Sequence, residues 1–313
     1  MSNKKTTRNS LILVLTAFIW GVAFVAQREG GGETGPYTFI FLRYIIGGTV
    51  LLPVIKLLDK AGVSKETVPQ TKEDKKLLIK GGICCGCCLG VASIFQQVGM
   101  YMGTPAGKAG FLTACYIVLV PILGLFLKKK CGLNVWLAVG ITVIGLYLLC
   151  MNGSLKMQTG DILVLCCSLV FAMHILTIDN FINKNVNGVR MSCIQFYTAS
   201  LFGLFPMFFI ELHGSFSEVP AMLATAFTGK ALISLLYAGV MSSGVAYTLQ
   251  IIGQKDVNPT VASLIMSLES VFSVLAGWAI LHESLSLKEL FGCALIFAAI
   301  TLAQLPQKNK AVS

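Results

Sequence analysis

Ten apolar runs of membrane-spanning length follow one another along the chain, and they constrain its fold more than any other feature. Each run holds close to the ~20 residues that a helix needs to cross a hydrocarbon core about 30 Å thick. Backbone polar groups find no water partners in lipid, so each run is expected to be a helix. Strands of a membrane β-barrel would be about ten residues long and would alternate in hydrophobicity, which these runs do not. The runs cover 10–27, 36–58, 77–100, 105–127, 133–151, 161–182, 191–211, 230–252, 257–281 and 287–305.

The composition agrees with a chain that lies mostly in lipid. Of its 313 residues, 55% are hydrophobic and 12% are charged, whereas soluble globular domains carry about 25% charged residues. The net charge of +10 would suit a nucleic-acid partner, but most positive residues fall on one side of the predicted membrane. With the N-terminus inside, cytoplasmic segments hold 18 of the 24 lysines and arginines and outside segments hold five. This bias predicts a multipass protein of the cell membrane, with both termini cytoplasmic and no nucleic-acid partner.

One pattern of sixteen residues occurs twice, half a chain apart. The stretch "GVASIFQQVGMYMGTP" at 90–105 shares six identities with "GVAYTLQIIGQKDVNP" at 244–259, at an offset of 154 positions. The first five runs therefore map onto the last five, and because five is odd the second copy enters the membrane from the opposite side. Inverted repeats of this kind build transporters with a site between the halves, although some channels share them. The sequence predicts an all-α membrane protein with ten transmembrane helices, arranged as two inverted five-helix repeats (1–155 and 156–313) around a central cavity.

Ionisable residues inside the runs are the first candidates for a substrate site, because a charge in mid-membrane is costly. Glu269, near the centre of the ninth run, could bind an amine, exchange a proton, or bond to a neighbouring helix. Arg43 could hold a carboxylate with its planar fork, snorkel outward or fix another helix. His174 suits proton relay or plain packing. Lys108 begins the fourth run from the outside, where it could contact substrate or snorkel.

Uncharged side chains supply three more candidates and one open question. Gln96 and Gln250 are the repeat-related pair, and an amide can read a polar substrate in an apolar cavity or bond across a helix interface. Trp20 lies about ten residues into its run, too deep for an interfacial aromatic belt, so it lines the cavity or packs in the core. The cysteines of "CCGCC" at 84–88 form either a soft-metal site or a packing face of small residues.

Motifs of enzymes and of tightly bound cofactors are missing from the chain. A phosphate-binding G-x-x-x-x-G-K-[ST] loop is not completed at either "GKA", 107–109 or 229–231. A zinc protease motif is begun but not completed by "HESLS" at 282–286. We therefore predict no catalytic residues, no metal ligands and no cofactor. The expected partners are the lipid bilayer and a small-molecule substrate, and the oligomeric state is left open.

Four stretches resemble the ten-helix drug/metabolite transporter superfamily, specifically its EamA family, over nearly the whole chain. Each matches a helix pattern typical of that family. The stretches are "FIWGVAFVAQ" (18–27), "FLRY" (41–44), "QQVGMYMGTPAGKAGFLTACYIVLVP" (96–121) and "SLESVFSVLAGWAILHESLS" (267–286).

The chain departs from the family pattern at a few positions. Ser270 stands where the family usually has a proline, His282 replaces the glycine before Glu283, and Lys128 to Lys130 occupy a place where a glutamate is common. These departures argue against carrying a family role onto Glu283. The resemblance implies a multipass carrier of small metabolites, often an exporter, without fixing the substrate.

These observations together predict a secondary transporter that moves a small organic metabolite across the cell membrane by alternating access. The solute is expected to be amino-acid-like or drug-like, and proton coupling is a further possibility. A passive channel and a membrane scaffold without transport are the two alternatives, and a flux assay separates them from a transporter.

Overall fold

A computed structural model describes residues 2–62, 68–129, 132–150, 157–281 and 286–304, and all regular structure in these ranges is helical. Two π-helical segments, Met207–Glu211 and Tyr237–Tyr247, and a short 3₁₀ turn, Phe216–Glu218, join the α-helices. The α-helices are α1 Ser2–Thr34, α2 Pro36–Lys60, α3 Lys72–Tyr101, α4 Ala106–Ala114, α5 Tyr116–Phe126, α6 Leu133–Cys150, α7 Thr159–Ile182, α8 Gly188–Pro206, α9 Val219–Ala226, α10 Gly229–Leu236, α11 Thr248–Gly253, α12 Pro259–Met266, α13 Leu268–Leu281 and α14 Leu287–Gln304.

Eight helical stretches among the described residues are long and apolar enough to cross a membrane, so the chain is a multipass membrane protein. The other two predicted runs are not among these stretches: the fifth forms α6, with a shorter apolar helix at Leu133–Leu149, and the tenth forms α14. The eight stretches are Lys5–Thr34, Pro36–Lys60, Lys72–Tyr101, Lys108–Phe126, Thr159–Ile182, Gly188–Glu211, Gly229–Gly253 and Pro259–Ala276.

Two of the spans break near their middle. The fourth run is α4 and α5, joined at Cys115, whose amide bonds the carbonyl of Leu112 at 3.3 Å in a tighter i→i−3 turn. The ninth run is α12 and α13, joined at Ser267, where the amide of Ser270 bonds the Ser267 carbonyl at 3.1 Å. A third span passes through the π segment Tyr237–Tyr247. Such irregular backbone within a membrane is tolerated where it is buried in protein or lines a cavity.

Glycines allow the closest helix contacts. A Cβ atom on Gly145 of α6 would lie 2.9 Å from the carbonyl oxygen of Gly292 on α14, and the reverse distance is 2.6 Å. The same mutual approach, at 2.6 Å in both directions, joins Gly99 of α3 to Gly160 of α7. Without a hydrophobic driving force in lipid, close backbone packing of this kind holds helices together.

The cysteine-rich part of α3 packs with its glycines against α8. A Cβ atom on any of three glycines would lie 2.5 Å from a side chain of α8: Gly82 from Ile194, Gly86 from Thr198 and Gly90 from Phe202. This close contact fits the packing face of small residues, one of the two alternatives for "CCGCC". Within the described ranges, no three histidines, cysteines or acidic residues are grouped to hold a metal ion. His282 and Glu283 lie outside those ranges.

Candidate functional site

A small cavity lies where the broken spans meet α1, α2 and α3. Its free volume is about 40 Å³, room for a few water molecules. Half of its lining residues are aromatic or aliphatic, and its polar groups are three amides, four hydroxyls, one indole nitrogen, one guanidinium and one carboxyl. The lining comprises Trp20, Phe24, Gln27, Arg43, Gln96, Thr113, Tyr116, Phe171, Ile175, Ser242, Tyr247, Gln250, Met266 and Glu269.

Arg43 is held on several sides by neighbouring polar and aromatic groups. It is 3% exposed; one terminal nitrogen donates to Gln27 Oε1 at 2.8 Å and the other to the Tyr44 hydroxyl at 2.9 Å. The Tyr44 hydroxyl in turn lies 2.5 Å from Ser93 Oγ. The guanidinium also lies 4.6 Å from the centre of the Tyr44 ring, a favourable cation–π arrangement. Within the described part of the chain no carboxylate neutralises Arg43, so its positive charge is available to an anionic group of a ligand.

Glu269 has one side-chain hydrogen-bond partner among the described residues. It is 4% exposed, and its Oε1 accepts a hydrogen bond from the Tyr116 hydroxyl at 3.1 Å. Because the span breaks at Ser267, Glu269 lies in the first turn of α13. The positive end of a helix dipole stabilises a carboxylate at such a position, which gives a local reason why this span tolerates an acidic residue at depth. No described lysine, arginine or histidine forms an ion pair with it.

The structure brings the two repeat-related glutamines to the same cavity. Gln96 Nε2 donates to Thr113 Oγ1 at 3.0 Å, whereas Gln250 Oε1 is buried with no hydrogen-bond partner among the described residues. An unpartnered buried carbonyl is costly, so Gln250 offers a polar ligand an acceptor that the protein does not already occupy.

Aromatic side chains form one wall. Trp20 and Tyr247 have ring centres 4.6 Å apart and planes tilted by 59°. The Trp20 indole nitrogen also lies 3.4 Å from the Ser242 carbonyl, within the π segment. Trp20 is thus fixed by a backbone group that the irregular helix presents to the cavity.

His174 and Lys108, both predicted site residues, do not line the cavity. His174 is fully buried behind it, with Nε2 3.0 Å from Gln195 Oε1 and its ring centre 6.1 Å from that of Tyr247. Lys108 Nζ lies 2.5 Å from Asp161 Oδ2, and Asp161 also accepts a hydrogen bond from Thr104. Lys108 therefore joins α4 to α7 at one end of the bundle.

Sequence reasoning missed several lining residues, and the helical period could have suggested two of them. Gln27 lies seven residues after Trp20, two turns along the same face of α1. Tyr247 lies three residues before Gln250, one turn away on the same face. Tyr116 gives no such signal, because the turn at Cys115 changes the direction in which it points.

The sequence model of the EamA-like transporter family matches this chain twice, at residues 8–151 and 158–304. The two matches together cover more than nine-tenths of the 313 residues.

Three relatives cover nearly the same length. An uncharacterized transporter of Archaeoglobus fulgidus is 28% identical over 94% of this chain and 84% of its own. The uncharacterized transporters YoaV and YwfM of Bacillus subtilis are each 23% identical, over 92% and 96% of this chain and 94% and 95% of theirs.

A solved crystal structure superposes with a TM-score of 0.72 at 17% identity, covering 95% of this chain and 96% of that one. At this identity the likeness shows the fold alone. The double match of the family model to the sequence is the stronger finding, and by it the chain belongs to the EamA-like transporter family.

Proposed function

We propose that this protein is a secondary transporter of amino-acid-like solutes that works by alternating access. The observation that carries the proposal is the cavity itself, which holds a guanidinium and a carboxyl, each without an oppositely charged partner among the described residues. Arg43 would bind the solute carboxylate and Glu269 its ammonium group. Trp20 and Tyr247 would contact the side chain, with Gln96 and Gln250 as hydrogen-bonding groups between them.

Contacts at the two ends of one helix pair support the ten-span topology. Lys108 pairs with Asp161 where α4 and α7 begin, and Lys129 pairs with Asp179 where α5 and α7 end. The fourth and sixth spans therefore run in the same direction. The chain leaves one end of the pair and re-enters at the other, which supports a crossing of the membrane by α6 between them. Its close contact with α14 supports the tenth crossing in the same way.

Contacts between segments assigned to one side support the orientation with cytoplasmic termini. Asn9, at the start of the first span, donates to the Lys255 carbonyl at 2.6 Å. The Lys255 ammonium lies 2.9 Å from Asn185 Oδ1, and Arg190 pairs with Asp59 at 2.6 Å. All five residues belong to segments that the positive-inside bias assigns to the cytoplasm.

The two matches of the family model support inverted repeats with their boundary near residues 155 and 156. The two broken spans are the fourth and the ninth. Each is therefore the fourth helix of its five-helix unit. Discontinuous helices in corresponding positions of two inverted repeats are typical of secondary transporter sites. The small free volume fits a closed conformation that widens to admit a solute.

Proton coupling through Glu269 is the most detailed part of the proposal. A carboxyl with a single hydroxyl partner can release its proton when a solute ammonium arrives and regain it when the solute leaves. Such an exchange would link solute flux to a pH gradient.

The first test is binding, since a ligand specific for the folded state raises its apparent stability. Thermal unfolding of the purified protein would be measured with leucine, with 3-methylbutylamine, which lacks the carboxylate, and with 4-methylpentanoate, which lacks the ammonium. We expect stabilisation by leucine and much less by either analogue. Equal effects of all three would contradict the assignment of Arg43 and Glu269 to the two charged groups.

The second test is flux in proteoliposomes with and without a pH gradient. Saturable counterflow of labelled leucine that responds to the gradient is the expected result. Flux without saturation would favour a passive channel, and no flux of any solute tried would favour a membrane scaffold.

A further inference from the structure

A second and larger space opens at the membrane-facing side of the bundle. It lies where α3 begins and where α5 and α7 end. Its volume is about 770 Å³, and it is separate from the central cavity. We call it the inner groove, defined by Lys80, Leu123, Phe126, Lys129, Met173 and Lys184.

The mouth of the inner groove carries three positive side chains. Lys80 is exposed on α3, Lys184 is exposed just after α7 with its ammonium 5.6 Å from the centre of the Phe181 ring, and Lys129 pairs with Asp179. The described residues that line the groove include no carboxylate. Because Lys129 is paired with Asp179, Lys80 and Lys184 carry the net positive charge of the mouth.

Below the mouth the groove becomes apolar. Phe126 is 82% exposed and Met173 is 48% exposed, and Leu123 lies one turn above Phe126 on α5. Along α7, Met173 lies eight residues before Phe181, about 12 Å deeper at 1.5 Å per residue. The groove thus has cationic groups at one end and an apolar channel at the other. The depth of this channel is close to half the thickness of the hydrocarbon core.

This order of groups matches the order of groups in a phospholipid. The positive-inside bias assigns the lysine end to the cytoplasm, where anionic lipids concentrate and basic pockets between transmembrane helices bind their headgroups. We propose that the inner groove binds one anionic phospholipid, with its phosphate between Lys80, Lys129 and Lys184 and an acyl chain along Leu123, Phe126 and Met173. The site is distinct from the transport cavity and goes beyond the proposed function.

The test is lipid binding to the full-length protein by native mass spectrometry. Dioleoyl phosphatidylglycerol would be titrated against dioleoyl phosphatidylcholine, which has the same chains without net charge. Glycerol 3-phosphate tests the headgroup alone. We expect tight binding of phosphatidylglycerol, weak binding of phosphatidylcholine and none of glycerol 3-phosphate. Equal affinity for the two lipids, or binding of glycerol 3-phosphate as strong as that of the lipid, would overturn the proposal.

A charge-matched pair of double variants locates the site. Lys80→Gln/Lys184→Gln removes two charges from the groove and should weaken phosphatidylglycerol binding roughly 25-fold, about fivefold for each lysine near an anionic headgroup. Lys56→Gln/Lys60→Gln removes two exposed charges near the C-terminus of α2, on the same predicted side of the membrane but outside the groove. This control should change the affinity for phosphatidylglycerol by no more than about twofold. Equal losses in both variants would mean a diffuse surface effect and would refute a defined site.

A measurement on the unaltered protein covers the case in which the groove variant does not fold. Phosphatidylglycerol with a photoreactive group in one acyl chain should label peptides that contain Leu123, Phe126 and Met173 in preference to other lipid-facing peptides. Uniform labelling of all spans, or labelling confined to other helices, would exclude the groove as the binding place.

Discussion

Arg43 and Glu269 are both buried in the same cavity, yet the protein holds them very differently. The guanidinium has two hydrogen-bond partners and an aromatic face, and one of these partners is bonded onward to Ser93. Within the part of the chain that the structure describes, the carboxyl has the Tyr116 hydroxyl as its one hydrogen-bond partner. Arg43 is therefore part of the frame that joins α1, α2 and α3, whereas Glu269 can change partner or protonation without disturbing that frame.

The two glutamines repeat this contrast on a smaller scale. Gln96, in the first repeat, is bonded to Thr113, while Gln250, in the second, leaves its carbonyl oxygen unpartnered. The comparison suggests that the first repeat supplies a fixed surface and the second supplies groups that respond to the solute. Four predictions test this division, ordered from the largest expected effect to the smallest.

Glu269→Lys should abolish folded protein. It replaces a carboxyl near a helix N-terminus with an ammonium that costs roughly 3 kcal/mol at mid-membrane on insertion scales and that the helix dipole also disfavours. The measurement is size-exclusion chromatography in detergent, in which folded protein gives a monodisperse peak. A well-folded Glu269→Lys protein would show that this position is far more accessible to water than its 4% exposure indicates.

Arg43→Gln should reduce both stability and transport. Removing the guanidinium leaves Gln27 Oε1 and the Tyr44 hydroxyl short of donors, a loss of about 1–3 kcal/mol for each unsatisfied buried group. Thermal unfolding reports the stability and leucine counterflow reports the transport. Arg43→Lys is the matched control, which keeps the charge but not the two-pronged geometry. If Arg43→Gln were as stable as the unaltered protein, the view of Arg43 as part of the frame would be wrong.

Glu269→Gln should fold almost as well as the unaltered protein, because glutamine keeps the size of the side chain and can accept from Tyr116. It should nevertheless lose the response of transport to a pH gradient, since it cannot exchange a proton. Proteoliposome flux at several internal and external pH values measures this. Unchanged flux with unchanged pH dependence would rule out the coupling role, and His174, the other buried titratable candidate, would be tested next.

Gln250→Leu should affect solute affinity and leave stability nearly unaltered, because it removes a carbonyl that has no described partner. Gln96→Leu should show the opposite balance, because it breaks the bond to Thr113, a loss of roughly 1 kcal/mol. Leucine titration and thermal unfolding of both variants measure the two quantities side by side. Identical behaviour of the two variants would remove the contrast between the repeats.

Hydropathy predicts the membrane helices, because lipid imposes helical structure and span length, and the repeat predicts the division of the chain into two matched halves. They also single out Glu269, Arg43 and the glutamine pair, since buried polar groups are conspicuous in apolar runs. They do not predict the turns at Cys115 and Ser267, because neither run carries a proline or glycine at the turn. Tyr116 is missed for that reason.

Contacts between distant segments are the other gap in the sequence-based view. Lys108 reads as an isolated lysine at the end of a run, and its partner Asp161 lies 53 positions further along the chain. His174 lies behind Tyr247 rather than in the cavity, because the rotation of its helix decides whether it reaches the cavity. Helix rotation depends on packing against neighbours, which periodicity in one helix does not report.

The ion pairs at the two ends of the α4–α5 and α7 pair have a mechanical consequence. Lys108–Asp161 and Lys129–Asp179 fasten the same two parallel spans at opposite membrane surfaces, and each aspartate is at most 3% exposed. Separating the spans at either surface would strand a buried charge, at about 3–5 kcal/mol. The two spans, α4–α5 and α7, should therefore move together as one rigid unit. In any rearrangement of the bundle the two spans would then keep their relative position, with the turn at Cys115 as a bend inside this unit.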